Sequence, residues 1–310
     1  MPLNEINRLT MAALILLLVA SSLIIWMLGS RLKESDRIEL SQRMHSWWVM
    51  VLLFIGALAI NTTWMLVFFA FVSYLALKEY FTMIPTRRVD RRIIFIAYLS
   101  IPLQYLWVGM HWYGMFIIFI PIFMFLLIPM RMVTLKQTQG FLKATGTLHW
   151  GMMLTIFCVS HIAFLGVLPK GPDWRNTGIS LIVYLVLLTQ LNDVGQYVWG
   201  KLVGRIKIIP EISPNKTLGG FLGGIATTVT LALLLAPILT PLSFMTAFGA
   251  GLIIAIFGFV GDLTMSAIKR DLGLKDTGQL LPGHGGMLDR LDSIIYTAPL
   301  FFHYMRYFYY

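Results

Sequence analysis

Long apolar runs alternate with short polar, basic stretches along the whole chain, and the runs carry almost no charge. They fall at about 9–29, 47–60, 63–77, 93–109, 112–130, 148–168, 178–194, 218–240, 243–261 and 293–310. A membrane-crossing helix needs about 20 predominantly apolar residues, and several of these runs meet that requirement alone. The pattern predicts an all-α, polytopic integral membrane protein with nine to ten transmembrane helices. The first run follows Arg8, but it exceeds a signal-peptide core and no small-residue cleavage site is clear, so it is expected to persist as a helix. Residues 47–77 are too long for one span, and Asn61-Thr62-Thr63 is the natural turn. The two pieces are short, so this hairpin is expected to cross incompletely. The division at Gly109–His111 competes with a single interfacial belt around His111-Trp112-Tyr113.

Three regions follow: an extra N-terminal helix with a basic loop (1–46), a set of membrane helices (47–176) and a C-terminal membrane region (177–310). Basic residues orient them. The connections 30–46, 78–92, 131–147, 195–217 and 262–292 hold 20 of the 24 Lys and Arg residues, whereas the intervening turns hold almost none. Odd-numbered loops are therefore expected in the cytoplasm, with both termini outside, and a bacterial cytoplasmic membrane is the expected location.

Composition sharpens this reading. The chain is 58% hydrophobic and 12% charged, with mean hydropathy +0.78, whereas about a quarter of the residues of a soluble domain are charged. Its formal charge of +10 is spread as loop punctuation with no long basic tract, which suits anionic lipid headgroups and not nucleic acid. The 18 Met residues are expected at lipid-facing and interfacial positions. Cys158 is the single cysteine; it excludes an intramolecular disulfide and reads as a helix-packing residue.

Charge is concentrated in 261–292, GDLTMSAIKRDLGLKDTGQLLPGHGGMLDRLD. Asp262, Asp271, Asp276, Asp289 and Asp292 share this stretch with Lys269, Arg270, Lys275 and Arg290. Carboxylates on both sides of a Gly-rich turn suit a divalent cation, and Lys-Arg steps suit phosphate. Asp193 ends another apolar run, as Asp262 does. A lone acid there is as readily a solvated helix end as a functional group. His284 reads either as a turn histidine or as a donor to a departing phosphate. The remaining histidines, without ligand spacing, read as interfacial or packing residues. Gly219-Gly220 and Gly223-Gly224 fit close helix packing as well as they fit phosphate binding.

The pattern Ser266-x-Ile268-Lys269-Arg270, Lys275-Asp276-x-Gly278, Leu281-Pro282-x-His284-Gly285-Gly286-Met287-x-Asp289-Arg290-Leu291-Asp292 resembles the signature of phosphatidate cytidylyltransferases. Asn192-Asp193-x-Gly195-x-Tyr197, Ile212-Ser213-Pro214-x-Lys216-Thr217 and Gly223-Gly224 resemble that family's upstream block, and Lys78-Glu79-Tyr80 is also reminiscent of it. The resemblance implies transfer of a cytidylyl group from CTP to phosphatidate in the membrane, giving CDP-diacylglycerol and pyrophosphate. It implies Asp262 and Asp289 as Mg²⁺ ligands, with room for a second cation. Asp262, Asp289, Lys269, Arg270 and His284 would carry catalysis. Asp193, Ser213, Lys216, Ser266, Lys275, Asp276, Arg290 and Asp292 would bind substrate, with Asp276 and Asp292 in supporting places. CTP, phosphatidate and membrane lipid are the implied partners; a homodimer stays open.

The chain departs from that pattern at three places. Met265 stands where the family usually has Glu, Gln196 where it has Ala, and Leu218-Gly219 where it has Trp followed by Glu or Gln. The alternatives are a paralogue with a different phosphorylated lipid acceptor, or a transporter or scaffold that keeps the site without turnover. A transporter is expected to place its charges within broken helices near the midplane, whereas here they sit at helix ends.

Overall fold

A computed structural model describes residues 5–28, 34–85, 91–169, 178–278 and 285–310. Among the described residues, ten long helices account for the ten apolar runs. They are α1 (Glu5–Leu28), α2 (Glu34–Ile60), α3 (Thr62–Met83), α4 (Arg91–Gly109) and α5 (Tyr113–Val133), then α6 (Phe141–Val167), α7 (Gly178–Val203), α8 (Leu218–Leu239), α9 (Phe244–Asp271) and α10 (Leu288–Tyr309). All but α10 are long and apolar enough to cross a membrane. The first turns of α10 hold Asp289, Arg290 and Asp292, so its apolar stretch begins only at Ser293. An isolated β-bridge joins Lys207 and Thr217.

The 47–77 hairpin is longer than its apolar runs suggest. Polar residues before Trp47 join α2 and residues after Leu77 join α3, so both helices are long enough to span. Asn61 is the only residue between them, and its side chain accepts a hydrogen bond from the Trp64 amide at 2.9 Å. Such a cap stabilises a helix start by about 1 kcal/mol. The division near Gly109 is also a true turn, with His111 held at φ 56°. Each of α5 and α6 contains one π-helical turn, at Phe119–Met124 and Met153–Cys158.

Packing is uneven along the chain. In α1, Leu16, Leu17, Trp26 and Met27 are exposed, as expected of a helix against lipid. By contrast α7 buries Leu181, Ile182, Tyr184, Leu185 and Leu188. The methionines divide: Met27, Met110, Met130 and Met245 are exposed as expected, whereas Met65, Met124, Met132, Met152, Met265 and Met305 are buried in the core. Their unbranched, polarisable side chains fill gaps that β-branched residues cannot. His161 is fully buried against Phe116, Phe157 and Phe302, which bears out a packing role.

α7 and α8 meet through glycine. A Cβ on Gly220 would lie 2.6 Å from the Gln196 carbonyl oxygen, and one on Gly224 would lie 2.6 Å from the Gln196 Cγ. Without side chains there, van der Waals packing brings the two backbones together. Asn192, also buried on α7, donates to the Ala255 carbonyl of α9 at 3.2 Å and accepts from Thr228 of α8 at 3.0 Å. Polar bonds thus tie three helices together directly beside Asp193.

Candidate functional site

The polar ends of α3, α7, α8, α9 and α10 gather the two sequence blocks at one end of the helix bundle. Helix α9 runs on through the first part of the charged stretch, so Asp262, Ser266 and Lys269 lie on one face at i, i+4 and i+7. The Ser266 hydroxyl is 3.4 Å from Asp262 Oδ1. The helix ends at Leu272 in a Schellman motif: Gly273, at φ 68°, donates to the Arg270 carbonyl, and Leu274 donates to that of Lys269 at 2.8 Å. Lys275 and Asp276 follow on the exposed connection. His284, with Gly283, lies outside the described residues.

One acidic centre forms where this connection meets α10. Asp289 Oδ2 accepts the amides of Thr277 (2.9 Å) and Gly286 (3.0 Å) and lies 2.8 Å from the Thr277 hydroxyl, while Oδ1 receives Lys269 Nζ at 2.8 Å. Burial would raise the Asp289 carboxyl. The bond from Lys269 and the Gly286 and Thr277 amides outweigh burial and hold it below its ordinary value. Glu79, from the end of α3, reaches the same place: its carboxylate accepts Met287 N at 2.7 Å and Leu288 N at 3.0 Å. The first amides of α10 are thus satisfied by an acid more than 200 residues away in sequence. The Thr277 hydroxyl touches Glu79 as well as Asp289 and can donate its single proton to only one of them at a time. Gly286 is needed here, because a Cβ would lie 2.0 Å from Glu79 Oε1.

A second acidic group is less completely paired. Asp193 of α7, Asp262 of α9 and Asp292 of α10 bear on one another electrostatically, with Arg290 beside them. Among the described residues Asp193 accepts a hydrogen bond only from the Ser293 hydroxyl, which lies 3.1 and 3.0 Å from its two oxygens. Asp262 pairs with Lys216, whose Nζ also donates to Gln196 Oε1 at 2.9 Å and sits 5.6 Å from the Phe259 ring centroid. Burial first, then the charges of Asp262 and Asp193, push the Asp292 carboxyl well above its ordinary range. The Arg290 Nε is buried with no acceptor among the described residues.

The remaining site residues are tied to structure. Ser213 lies in a turn, its carbonyl accepting the Lys216 amide and its own amide donating to the Ile209 carbonyl. Backbone pairing of Ile208 with Lys216 and of Leu218 with Ile206 folds this loop back, which returns Lys216 to the helix ends. Arg270 is exposed and donates through Nε to the Ile212 carbonyl at 3.3 Å, binding the two polar connections together. A cavity of about 410 Å³ opens between α7 and the start of α8, lined among others by Asp193, Gln196, Tyr197, Lys201, Lys216 and Phe221.

The arrangement brings Asp193, Asp262, Asp292, Lys216 and Arg290 together and puts Asp289 with Lys269 in separate contacts. For a divalent cation the donor chemistry fits, since carboxylate oxygens are the hard ligands Mg²⁺ prefers. Among the described residues, however, no three acidic, His or Cys groups already converge on one point, and both oxygens of Asp289 are engaged. Met265, where an acid would stand in the resembled motif, is 1% exposed and packs in the core. In the sequence Glu79 stands out only within Lys78-Glu79-Tyr80, an acid ending a long apolar run, and nothing there assigns it a role; its place at the start of α10 comes from the fold.

A model described as "Cytidylyltransferase family" matches residues 41–308 of the chain. Over 299 residues, 96% of this chain and 98% of the relative, it is 44% identical to "Uncharacterized protein YnbB" of Escherichia coli (strain K12). Over 154 residues it is 38% identical to "Phosphatidate cytidylyltransferase" of Staphylococcus aureus (strain COL), and that match covers 49% of this chain and 59% of the relative. The corresponding protein of Staphylococcus epidermidis (strain ATCC 12228 / FDA PCI 1200) is 36% identical over the same share.

Proposed function

The chain belongs to the cytidylyltransferase family, and we propose that it transfers the cytidylyl group of CTP to phosphatidate, forming CDP-diacylglycerol and releasing pyrophosphate. The observation that carries this reading is the under-neutralised acidic group, Asp193, Asp262 and Asp292, set against Lys216 and against Arg290, whose Nε has no acceptor among the described residues, at one end of four helices. The partial match to named phosphatidate cytidylyltransferases supports the choice of acceptor.

The chemistry asks little of a general base. A phosphate oxygen of the lipid, already anionic, attacks the α-phosphorus of CTP; the bond from that phosphorus to the bridging oxygen of pyrophosphate breaks, and pyrophosphate leaves with the electron pair. The obstacle is bringing two polyanions together, so positioning and charge neutralisation dominate. Lys216 and Arg290 neutralise phosphate oxygens. Asp262 would hold Mg²⁺, with Asp193 and Asp292 as further oxygen donors; Asp289 could join only by exchanging Lys269 for the metal. Bound there, Mg²⁺ would supply charge neutralisation on the phosphates. Lys269, Thr277 and Glu79 fix the start of α10 and hence the placing of Arg290 and Asp292.

The reading has the site facing the cytoplasm, where CTP is found. Labelled CTP is supplied to the purified protein with phosphatidate and, separately, with other phosphorylated lipids, with and without Mg²⁺. A CDP-lipid product that requires Mg²⁺ is expected, with phosphatidate the preferred acceptor. A different preferred lipid would make this chain a paralogue, and no product with any lipid would leave a binding or scaffold role. Orientation is checked apart from activity: cysteines at residues 85 or 140 should be shielded from an impermeant thiol reagent in intact cells, and one at 172 labelled. The inverse labelling would put the site on the wrong face.

A further inference from the structure

Gln196 occupies a position where an amide is hard to explain by packing alone. It is 4% exposed, and its walls are the glycines of α8 described above. Lys216 Nζ, which can only donate, faces one end of the amide at 2.9 Å. That end must therefore be the oxygen, and the NH₂ group is fixed by elimination at the other. This Nε2 is buried and has no acceptor among the described residues, an arrangement that a folded chain avoids unless something else completes the bond. Gln196 also lines the 410 Å³ cavity with Asp193, Lys201 and Lys216. Two ammonium groups on its wall suit an anion, and the amide adds an uncharged, directional donor.

We propose that Gln196 is a substrate-reading residue: its Nε2 donates to an oxygen of a phosphorylated substrate seated in this cavity, while its Oε1 holds Lys216 toward the same ligand. The inference rests on the cytidylyl-transfer reading and deepens it. A residue that only positioned Lys216 would need an acceptor alone, and a shorter or apolar residue would fill the space without leaving a donor unpaired. CTP and the lipid both present phosphate oxygens, so the ligand that Gln196 reads is settled by which affinity responds.

The test measures equilibrium binding of CTP and, separately, of phosphatidate in detergent micelles. The proteins are the full-length chain, Gln196→Met, Lys216→Met and the double variant. Methionine keeps the length of the side chain and removes both hydrogen-bonding ends, and thermal unfolding of each variant checks that the bundle is intact. Loss of one hydrogen bond to the ligand should weaken one of the two affinities roughly fivefold to tenfold. A direct donor keeps weakening binding when Lys216 is already Met; a role confined to Lys216 would leave Gln196→Met silent in that background and overturn the proposal. Unchanged affinity for both ligands in the single variant would overturn it too. Wild-type protein that binds neither ligand would remove the cytidylyl-transfer reading itself, an outcome separate from an active protein indifferent to Gln196. If Gln196→Met fails to fold, Gln196→Ala, with the small side chain that this motif position usually carries, takes its place under the same criteria.

Discussion

Two acidic centres lie at the same end of this molecule, and they differ in how completely their charge is answered. At Glu79 and Asp289 the carboxylates accept from the backbone amides of Thr277, Gly286, Met287 and Leu288 and from Lys269. At Asp193, Asp262 and Asp292 the hydrogen-bonding and ion-pair partners among the described residues are Lys216, Ser266, the Ser293 hydroxyl and the Ser293 amide, with Arg290 nearby, and the acids repel one another. A fully bonded buried carboxylate stabilises a fold and has little left for a ligand; a cluster of under-bonded ones costs stability and retains binding capacity. The first centre reads as the joint that places α10, and the second as the place for cation and phosphate.

The largest expected effect comes from forcing an acid into a position that serves neither centre. Met265 lies on α9 one turn from Asp262 but is buried in the core, so Met265→Glu would bury an unpaired charge. We expect a destabilisation of several kcal/mol, seen as loss of the cooperative thermal transition or a steep drop in Tm. A stable variant with tighter Mg²⁺ dependence would show that this side chain reaches the cation after all.

Next comes Asp262→Asn. It should reduce CDP-lipid formation at least about a hundredfold, near 2.7 kcal/mol in the barrier, with Tm shifted by no more than a few degrees, because the pair with Lys216 is partly solvated. Near-normal turnover would remove Asp262 from the reacting site. Glu79→Gln probes the other centre and should behave in the opposite way. An amide can accept from only one of its two ends, so one α10 donor loses its partner at about 1–3 kcal/mol. Tm should fall first and activity follow. An unchanged Tm with lost activity would move Glu79 from the joint into the chemistry. The smallest effect is expected at Asp276, exposed on the connection: Asp276→Ala should change stability by less than about 0.5 kcal/mol and activity little. A large loss of turnover there would extend the reacting site into the loop.

Membrane helices were readable one by one because a lipid solvent demands long apolar runs with every backbone group bonded internally. That local rule gave the helices seen among the described residues and the turn at Asn61, whereas the turn at His111 and the glycine contact between α7 and α8 were each one of two readings until the helices packed. It also located the charged stretch, since acids and bases at helix ends stand out in so apolar a chain. The helices of the 47–77 hairpin are longer than expected because they continue past the apolar boundary into polar residues, which the length of an apolar run does not register. Which acid serves which purpose was not readable. Asp262 and Asp289 are 27 positions apart and look alike in sequence, yet one faces Lys216 and the other accepts two backbone amides. Glu79 meets Leu288 across 209 residues, and Gln196 finds Lys216 only because the loop between them folds back. Hydrogen-bond saturation is a property of neighbours in space, so it was decided when the helices packed.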